Sequence, residues 1–113
     1  MHELSLAESA VDLIEQAAVR DGFARVRTVF IEIGRLSCVD PEALRFAFEQ
    51  ARQGSCADGA VLEIHSVEGE GECLTCGKKM MIEQAYDVCP ACGAAPLKIL
   101  RGLEMRVTEL DVE

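Results

Sequence analysis

The segments that decide the fold of this chain are Cys73-Leu74-Thr75-Cys76-Gly77 and Cys89-Pro90-Ala91-Cys92-Gly93, with twelve residues between the two cysteine pairs. Four thiolates at this spacing can surround one zinc ion as a tetrahedron. The glycine after each second cysteine tolerates the positive φ of a tight turn. The alternatives are two disulfides or a redox pair, but a redox pair occurs singly and begins a helix. The doubled pattern therefore predicts a zinc ribbon held by Cys73, Cys76, Cys89 and Cys92.

The rest of the sequence indicates a cytoplasmic protein. Residues 1–5 contain no Lys or Arg ahead of an apolar run, and no stretch approaches the ~18 apolar residues of a membrane span. We therefore expect neither a signal peptide nor a membrane span. Disulfides do not persist in the reducing cytosol, which favours metal binding by the four paired cysteines. Cys38 and Cys56 lie outside the pairs and are expected to be buried as small apolar residues.

The net charge of −9 argues against nucleic acid as a partner. Four thiolates around one divalent ion add further negative charge, so phosphate would be repelled. Zinc ribbons that bind nucleic acid need a basic stripe, yet residues 69–96 hold two lysines against three glutamates and one aspartate. So short a lobe also needs the metal for its stability, because it cannot bury enough apolar surface alone.

The N-terminal part of the chain predicts an amphipathic helix. Ser5, followed three residues later by Glu8, forms a capping box, so the helix is expected to begin at or next to Ser5. Gly22 is expected to end it. The apolar residues recur at helical spacing and predict one buried stripe, made of Leu6, Ala7, Ala10, Leu13, Ile14, Ala17 and Ala18.

A strand and a second helix follow. Residues 26–36 alternate, with Val29, Ile31 and Ile33 on one face, which predicts a half-buried strand closed by Gly34. Asp40-Pro41 supplies an N-cap and a first-turn proline, so a second amphipathic helix is expected to run to about residue 51. Its inward residues are expected to be Leu44, Ala47, Phe48 and Ala51.

The C-terminal half predicts two further strands and the insertion. Residues 61–67 alternate, residues 68–71 are a glycine-spaced hinge, and residues 97–107 resume the alternation with a bulge or bend at Gly102. A strand, helix and strand in succession favours a right-handed crossover. We predict an α+β fold, in which a three-stranded mixed sheet is covered by two helices. Residues 1–68 plus 97–113 form this domain, and residues 69–96 form an inserted zinc-ribbon domain.

The N terminus, Met1-His2-Glu3, carries a second candidate metal site. The α-amine, the His2 amide nitrogen and the His2 Nδ1 can share one ion through fused chelate rings, and the Glu3 amide nitrogen can complete a plane. Deprotonated amide nitrogens enforce square-planar geometry, which selects Ni(II) or Cu(II) over zinc. The alternative is a loose terminus in which His2 has no role.

Taken together, these features resemble the HypA/HybF hydrogenase maturation proteins, which act as nickel chaperones. The resemblance covers the whole chain and rests on Met-His-Glu, the first helix, the strand Val26-x-x-Val29-x-Ile31-x-Ile33-Gly34 and the two cysteine pairs. It implies that His2 ligates nickel, that the Glu3 backbone nitrogen lies in the nickel plane, and that the four cysteines bind structural zinc. It also implies a HypB-type GTPase partner and delivery to the large subunit of [NiFe]-hydrogenase, or in some bacteria to urease.

Other residues give weaker signals. His65 lies on the polar face of a predicted strand, where a histidine is usually a surface residue, and Asp40 is explained by capping. No catalytic triad, phosphate loop or carboxylate pair can be assembled, so the chain is not expected to be an enzyme. Two hypotheses remain, a nickel chaperone and a zinc-ribbon adaptor that binds only proteins, either of them as monomer or homodimer. A residue added before Met1 would disturb nickel binding by a chaperone but would leave an adaptor's binding of its protein partners unchanged.

Overall fold

The computed structural model describes residues 2–84 and 87–113, which form two helices and six strands. In chain order these elements are α1 (His2–Asp21), β1 (Val26–Gly34), α2 (Pro41–Ala51), β2 (Val61–Val67), β3 (Gly69–Glu72), β4 (Lys79–Ile82), β5 (Lys98–Arg101) and β6 (Met105–Val112). Among these residues, no helix has both the length and the apolar character that crossing a membrane requires.

The first sheet has the strand order β2-β1-β6, with β1 in the centre. β1 pairs parallel with β2, which follows it through the α2 crossover, and antiparallel with β6. The predicted mixed three-stranded sheet with two helices is therefore confirmed. Its core contains the expected face of β1, where Val29 and Ile31 are fully buried against Ile14 of α1 and Leu44 and Phe48 of α2.

The start of α2 follows the sequence prediction closely. The Asp40 carboxylate accepts hydrogen bonds from the N–H groups of Glu42 at 2.9 Å and Ala43 at 3.4 Å, and Pro41 begins the helix. These bonds satisfy two of the N–H groups that the first turn of a helix leaves without partners.

The start of α1 differs from the prediction. The helix begins at His2, so Ser5 lies inside it and is not its N-cap. The reason is a tertiary contact. The Glu3 carboxylate in the first turn accepts a hydrogen bond from the backbone N–H of Asp40 at 3.3 Å, which ties that turn to the start of α2.

Two further predictions for α1 have different outcomes. Leu13 was predicted to be buried but is 52% exposed, since it lies at the margin of the apolar stripe. The end of α1 at Gly22 is confirmed, with a φ of +77° and an N–H bonded to the Ala18 carbonyl.

A second sheet, with the order β4-β3-β5, builds the cysteine-rich lobe. Residues 97–107 were predicted to form one strand with a bulge or bend at Gly102. The irregularity does lie at Gly102, which has a φ of +102°, but it separates two strands, β5 and β6. β5 pairs with β3, whereas β6 returns to β1. The division into residues 1–68 plus 97–113 and residues 69–96 stays a prediction, and β5 continues the second sheet beyond residue 96.

Three glycines form the junction between the two sheets, which we call the glycine junction: Gly34, Gly69 and Gly102. All three are buried. A Cβ atom on Gly34 would lie 2.0 Å from the Gly102 carbonyl oxygen, and one on Gly102 would lie 2.7 Å from the Gly69 Cα. The N–H of Leu36 also donates to the Gly102 carbonyl at 2.8 Å. The backbones therefore approach too closely for any side chain at these positions.

Candidate metal centres

The four paired cysteines converge on one point of the lobe. Their Sγ atoms all lie within 4.8 Å of one another. The Cys73 and Cys92 Sγ atoms are 3.5 Å apart, and those of Cys76 and Cys89 are 3.7 Å apart. Sulfur atoms at the corners of a tetrahedron with metal–sulfur bonds of ~2.3 Å are separated by ~3.8 Å. The cluster thus has the size and ligand set that fit a tetrahedral metal ion such as zinc.

Each cysteine pair is held by the same backbone turn. The N–H of Gly77 donates to the Cys73 carbonyl at 2.7 Å, and the N–H of Gly93 donates to the Cys89 carbonyl at 2.7 Å. Both glycines have positive φ, as the sequence predicted. The Cys76 N–H also points at the Cys73 Sγ, 3.4 Å away. In the folded lobe these turns set the direction of the sulfur atoms.

The thiols of the cluster influence one another's ionisation. The N–H of Cys76 lowers the pKa of Cys73 to about 6. The N–H of Ala94 acts to lower the pKa of Cys92, but hydrogen bonding to Cys73, desolvation and the Cys89 thiol together raise it to about 12. Neighbouring thiolates also repel one another, so each ionisation opposes the next. A divalent cation among them removes this repulsion.

The apolar core behind the cluster is small. Cys73 and Cys89 are each 1% exposed and contact a cluster of three large buried residues, Leu36, Ile82 and Leu97. Leu36 comes from the segment that follows β1, so one of these residues lies outside the cysteine-rich lobe. A core of this size does not order a lobe unaided, and metal binding must supply part of the folding free energy.

At the N terminus the structure places His2 and Glu3 together in the first turn of α1. The His2 side chain is 58% exposed, and its Nδ1 lies 3.7 Å from the Glu3 carboxylate. The Glu3 side chain is only 15% exposed, and the hydrogen bond from the Asp40 N–H lowers the pKa of its carboxyl group. The α-amine of Met1, the further predicted ligand, lies outside the described residues. Sequence reasoning missed the contact between Glu3 and Asp40, because no local pattern signals it.

The remaining candidates stay apart from both sites. His65 is exposed on β2, beside Glu32 of β1. Within residues 2–84 and 87–113, the four cysteines are the one group of three or more ligating side chains close enough to share an ion. Cys38 was expected to be buried but is exposed, in the segment between β1 and α2, where its φ is +63°. Cys56 is half-buried, and burial followed by the nearby Glu15 carboxylate raises the pKa of its thiol.

Comparison with known proteins identifies the family. Residues 1–112 match the family described as "Hydrogenase/urease nickel incorporation, metallochaperone, hypA". The chain is 47% identical to the hydrogenase maturation factor HypA of Azotobacter vinelandii and 46% identical to that of Dechloromonas aromatica, over 113 residues and the full length of each. These are maturation factors and not enzymes, as the sequence led us to expect.

The solved structures agree with this assignment. The fold resembles the solution structure of the Ni metallochaperone HypA from Helicobacter pylori with a TM-score of 0.76 and 29% sequence identity, covering 97% of this chain and 96% of that one. A second solution structure of a HypA protein matches with a TM-score of 0.73 and 32% identity, covering 100% of this chain and 97% of that one. The chain belongs to the HypA family of nickel metallochaperones and hydrogenase maturation factors.

Proposed function

We propose that this protein binds Ni(II) at its N terminus and delivers it, together with a HypB-type GTPase, to the large subunit of [NiFe]-hydrogenase in the cytoplasm. The observation that carries the proposal is the exposed His2 side chain in the first turn of α1, beside Glu3. The family description supports nickel as the cargo, and the relatives named as hydrogenase maturation factors support the recipient. Urease, which the family description also names, is the second recipient to test.

The helical position of His2 suits a nickel plane. The first N–H groups of a helix have no acceptor within the helix, so the amide nitrogens of His2 and Glu3 can bind an ion without breaking the hydrogen bonds of α1. In the proposed site the Met1 amine, the His2 amide nitrogen and the His2 Nδ1 would bind the ion through fused chelate rings, and the Glu3 amide nitrogen is the candidate for a further ligand. Deprotonated amide donors of this kind favour square-planar Ni(II) over zinc. The bond between Glu3 and Asp40 holds this turn in place.

The second metal in the proposal is a structural zinc ion held by Cys73, Cys76, Cys89 and Cys92. Four thiolates at tetrahedral distances close the coordination sphere, which is typical of structural and not catalytic zinc. The two sites differ in ligand type, sulfur against nitrogen, and in geometry, so each selects its own metal. The reducing cytoplasm keeps the thiolates available.

Substitution of His2 by alanine tests the nickel site. We expect H2A to lose nickel affinity by more than about 100-fold, since loss of a ligand costs more than loss of a group that merely orients one. The zinc content and melting temperature should stay near wild type, because the His2 side chain is exposed and leaves no cavity. Nickel titration of the zinc-loaded chain, with intact-mass spectrometry, measures both metals. Wild-type nickel affinity in H2A would contradict the proposed site.

An N-terminal glycine added before Met1 is a second test of the nickel site, and His65→Ala is the matched control. It keeps the imidazole of His2 but moves the α-amine one residue away and alters the chelate rings. The nickel chaperone should lose tight binding, whereas a zinc-ribbon adaptor would keep its partner binding. His65→Ala, which removes the other histidine from an exposed strand position, should leave the nickel titration unchanged.

Nickel should leave the protein in acid. Protons compete with the metal for the imidazole and amine nitrogens and for the amide nitrogens that must lose a proton to bind. Nickel affinity should therefore fall steadily as the pH is lowered, and rise again on return to neutral pH. Equilibrium dialysis against nickel at a series of pH values measures this change. An affinity that is independent of pH would exclude these nitrogen ligands.

A further inference from the structure

All three lysines of the chain lie in the cysteine-rich lobe, at positions 78, 79 and 98. Among the ion pairs of residues 2–84 and 87–113, none involves a lysine, whereas four arginines pair with carboxylates. Two further arginines, Arg45 and Arg52, donate to backbone carbonyls. The fold thus engages most of its arginines but leaves its lysine ammonium groups, all within the described ranges, without an ionic partner.

Strand pairing brings Lys79 and Lys98 to one face of the second sheet. Glu72 in the central strand β3 lies opposite Lys79 of β4 and opposite Lys98 of β5. Residues directly opposite one another in an antiparallel sheet point to the same face. The three side chains therefore form a row across the sheet, and Lys78, which precedes β4, is exposed beside it.

This row lies on the outer face of the sheet. The inner face is that of Gly71, where an added Cβ atom would lie 3.1 Å from the side chain of Ile82 in the core of the lobe. Glu70 and Glu72 flank Gly71 along the strand, so their side chains point away from that core. The pairing partners of these two glutamates share the outer face with them.

We call this outer surface the lysine face, and its residues form two rows across the sheet: Glu72, Lys79, Lys98, Glu70, Met81 and Arg101. With Lys78 at its edge, the face carries four basic residues against two glutamates, in a chain with a net charge of −9. The glutamates lie in the central strand and are half-buried, whereas the basic residues are exposed. A macromolecule that approaches the face therefore meets its cations first.

The lobe also lies beside the turn that carries the proposed nickel site. One cleft is lined by Arg35 and Pro41, on the side of the first sheet, and by Glu83 of the lobe. Pro41 begins α2, and the N–H of the preceding residue, Asp40, donates to the Glu3 carboxylate in the first turn of α1. A protein that exchanges nickel with this turn is therefore within reach of the lobe.

From these observations we propose that the lysine face docks an acidic segment of a protein with which this chain exchanges nickel. The carboxylates of the segment pair with the free ammonium groups, and Met81, which is 53% exposed, adds an apolar contact of the kind enriched in interfaces. The half-buried glutamates disfavour nucleic acid, whose phosphates present an unbroken row of negative charge. The identity of the partner rests on the proposed function, whereas the charge of the segment rests on the face alone.

The energetic contribution of the face follows from its exposure. Each exposed ion pair contributes little to affinity. Complementary charges of this kind accelerate the encounter and fix the orientation of the two proteins. The association should therefore weaken as salt is added, because salt screens exposed charges.

An acidic peptide tests the face without any partner protein. The probe is a fluorescein-labelled peptide in which glutamate alternates with alanine, and fluorescence anisotropy follows its binding to the zinc-loaded chain at low salt. K78E/K79E/K98E should weaken binding by at least about 10-fold, whereas K78R/K79R/K98R should bind like wild type. R20E/R25E/R27E is the matched control, because it makes the same change of net charge at exposed arginines outside the lobe. It should affect binding far less.

The same variants are then measured against the nickel-free hydrogenase large subunit and the GTPase by biolayer interferometry. Reversal of the lysines should weaken the complex with one of these proteins by at least about 10-fold. Nickel titration of K78E/K79E/K98E should match wild type, because no lysine belongs to the proposed nickel site. If the wild-type chain binds neither protein, the proposed function fails, while the peptide measurement still decides the charge that the face accepts.

Several results would overturn the proposal. These are a wild-type chain that does not bind the acidic peptide, tighter binding of a single-stranded DNA oligonucleotide, or a control reversal that weakens binding as much as the lysine reversal. Complexes with both proteins that ignore the lysine reversal would overturn it equally. Loss of zinc from K78E/K79E/K98E in elemental analysis would assign the lysines to the thiolate cluster instead. A changed oligomeric state in sedimentation velocity would assign the face to a second copy of the chain.

Discussion

Replacing Cys73 by alanine is expected to abolish metal binding at the four-cysteine cluster and to unfold the lobe around it, while the first sheet and its helices stay folded. Cys73 is 1% exposed and belongs to both the ligand set and the small core of the lobe. Structural zinc contributes on the order of 10 kcal/mol to folding such units, far more than this core can supply alone. Elemental analysis should show the loss of the ion, and NMR spectra should show collapsed dispersion for residues 69–101 only.

Cys38→Ala is the matched control for this substitution, because Cys38 is exposed and does not belong to the cluster. It should retain the ion and the wild-type spectrum. Chelation of the metal from wild-type protein should reproduce the spectrum of the Cys73 variant. A lobe that remains fully ordered after chelation would show that its core, and not the metal, determines its fold.

Replacing Gly34 by alanine is expected to destabilise the whole protein by at least about 3 kcal/mol, which corresponds to a fall in melting temperature of more than about 10 °C. The added Cβ would lie 2.0 Å from the Gly102 carbonyl oxygen, which is backbone and cannot rotate away. Either β1 or the segment between β5 and β6 must shift, so the bond from the Leu36 N–H to Gly102 would be lost as well. Thermal unfolding followed by circular dichroism measures the change.

Gly54→Ala separates this steric effect from the effect of backbone conformation. Gly54 has a φ of +79°, but nothing lies within 4 Å of the position of its Cβ. Its substitution by alanine should therefore lower the free energy of unfolding by only ~1–2 kcal/mol, which is the cost of placing a residue with a Cβ atom in the left-handed backbone conformation. If both variants unfold at the same temperature, the glycine junction is looser than its backbone distances indicate.

The parts of this structure that local chemistry determines could be predicted from the sequence. Asp40-Pro41 begins α2 because a cap and a proline act within one turn, and the cysteine pairs form their turns because Gly77 and Gly93 follow them. Alternation placed Val29 and Ile31 in the core for the same reason, since the side chains of a strand alternate wherever it lies.

The parts that depend on distant contacts could not be predicted in this way. Ser5 carries a capping signal, but the helix passes through it because Glu3 is bonded to Asp40, a residue from another element. The bend predicted at Gly102 becomes a break between two strands because Gly102 must fit between Gly34 and Gly69, and neither neighbour is near it in sequence. The proposed nickel site likewise rests on a resemblance and on the chemistry of His2, and Met1, its further proposed ligand, lies outside the described residues.

The position of β1 in the centre of the first sheet also has a consequence for protein synthesis. β1 is made early, but its antiparallel partner β6 leaves the ribosome only after the entire cysteine-rich lobe. One side of β1 therefore stays unpaired until β6 has been made and released. Sheets closed by such late, distant contacts form slowly, and the open strand is exposed to aggregation until they do. Early metal capture by the nascent lobe would hold β5, and the start of β6 just beyond it, beside the end of β1 and so shorten that interval.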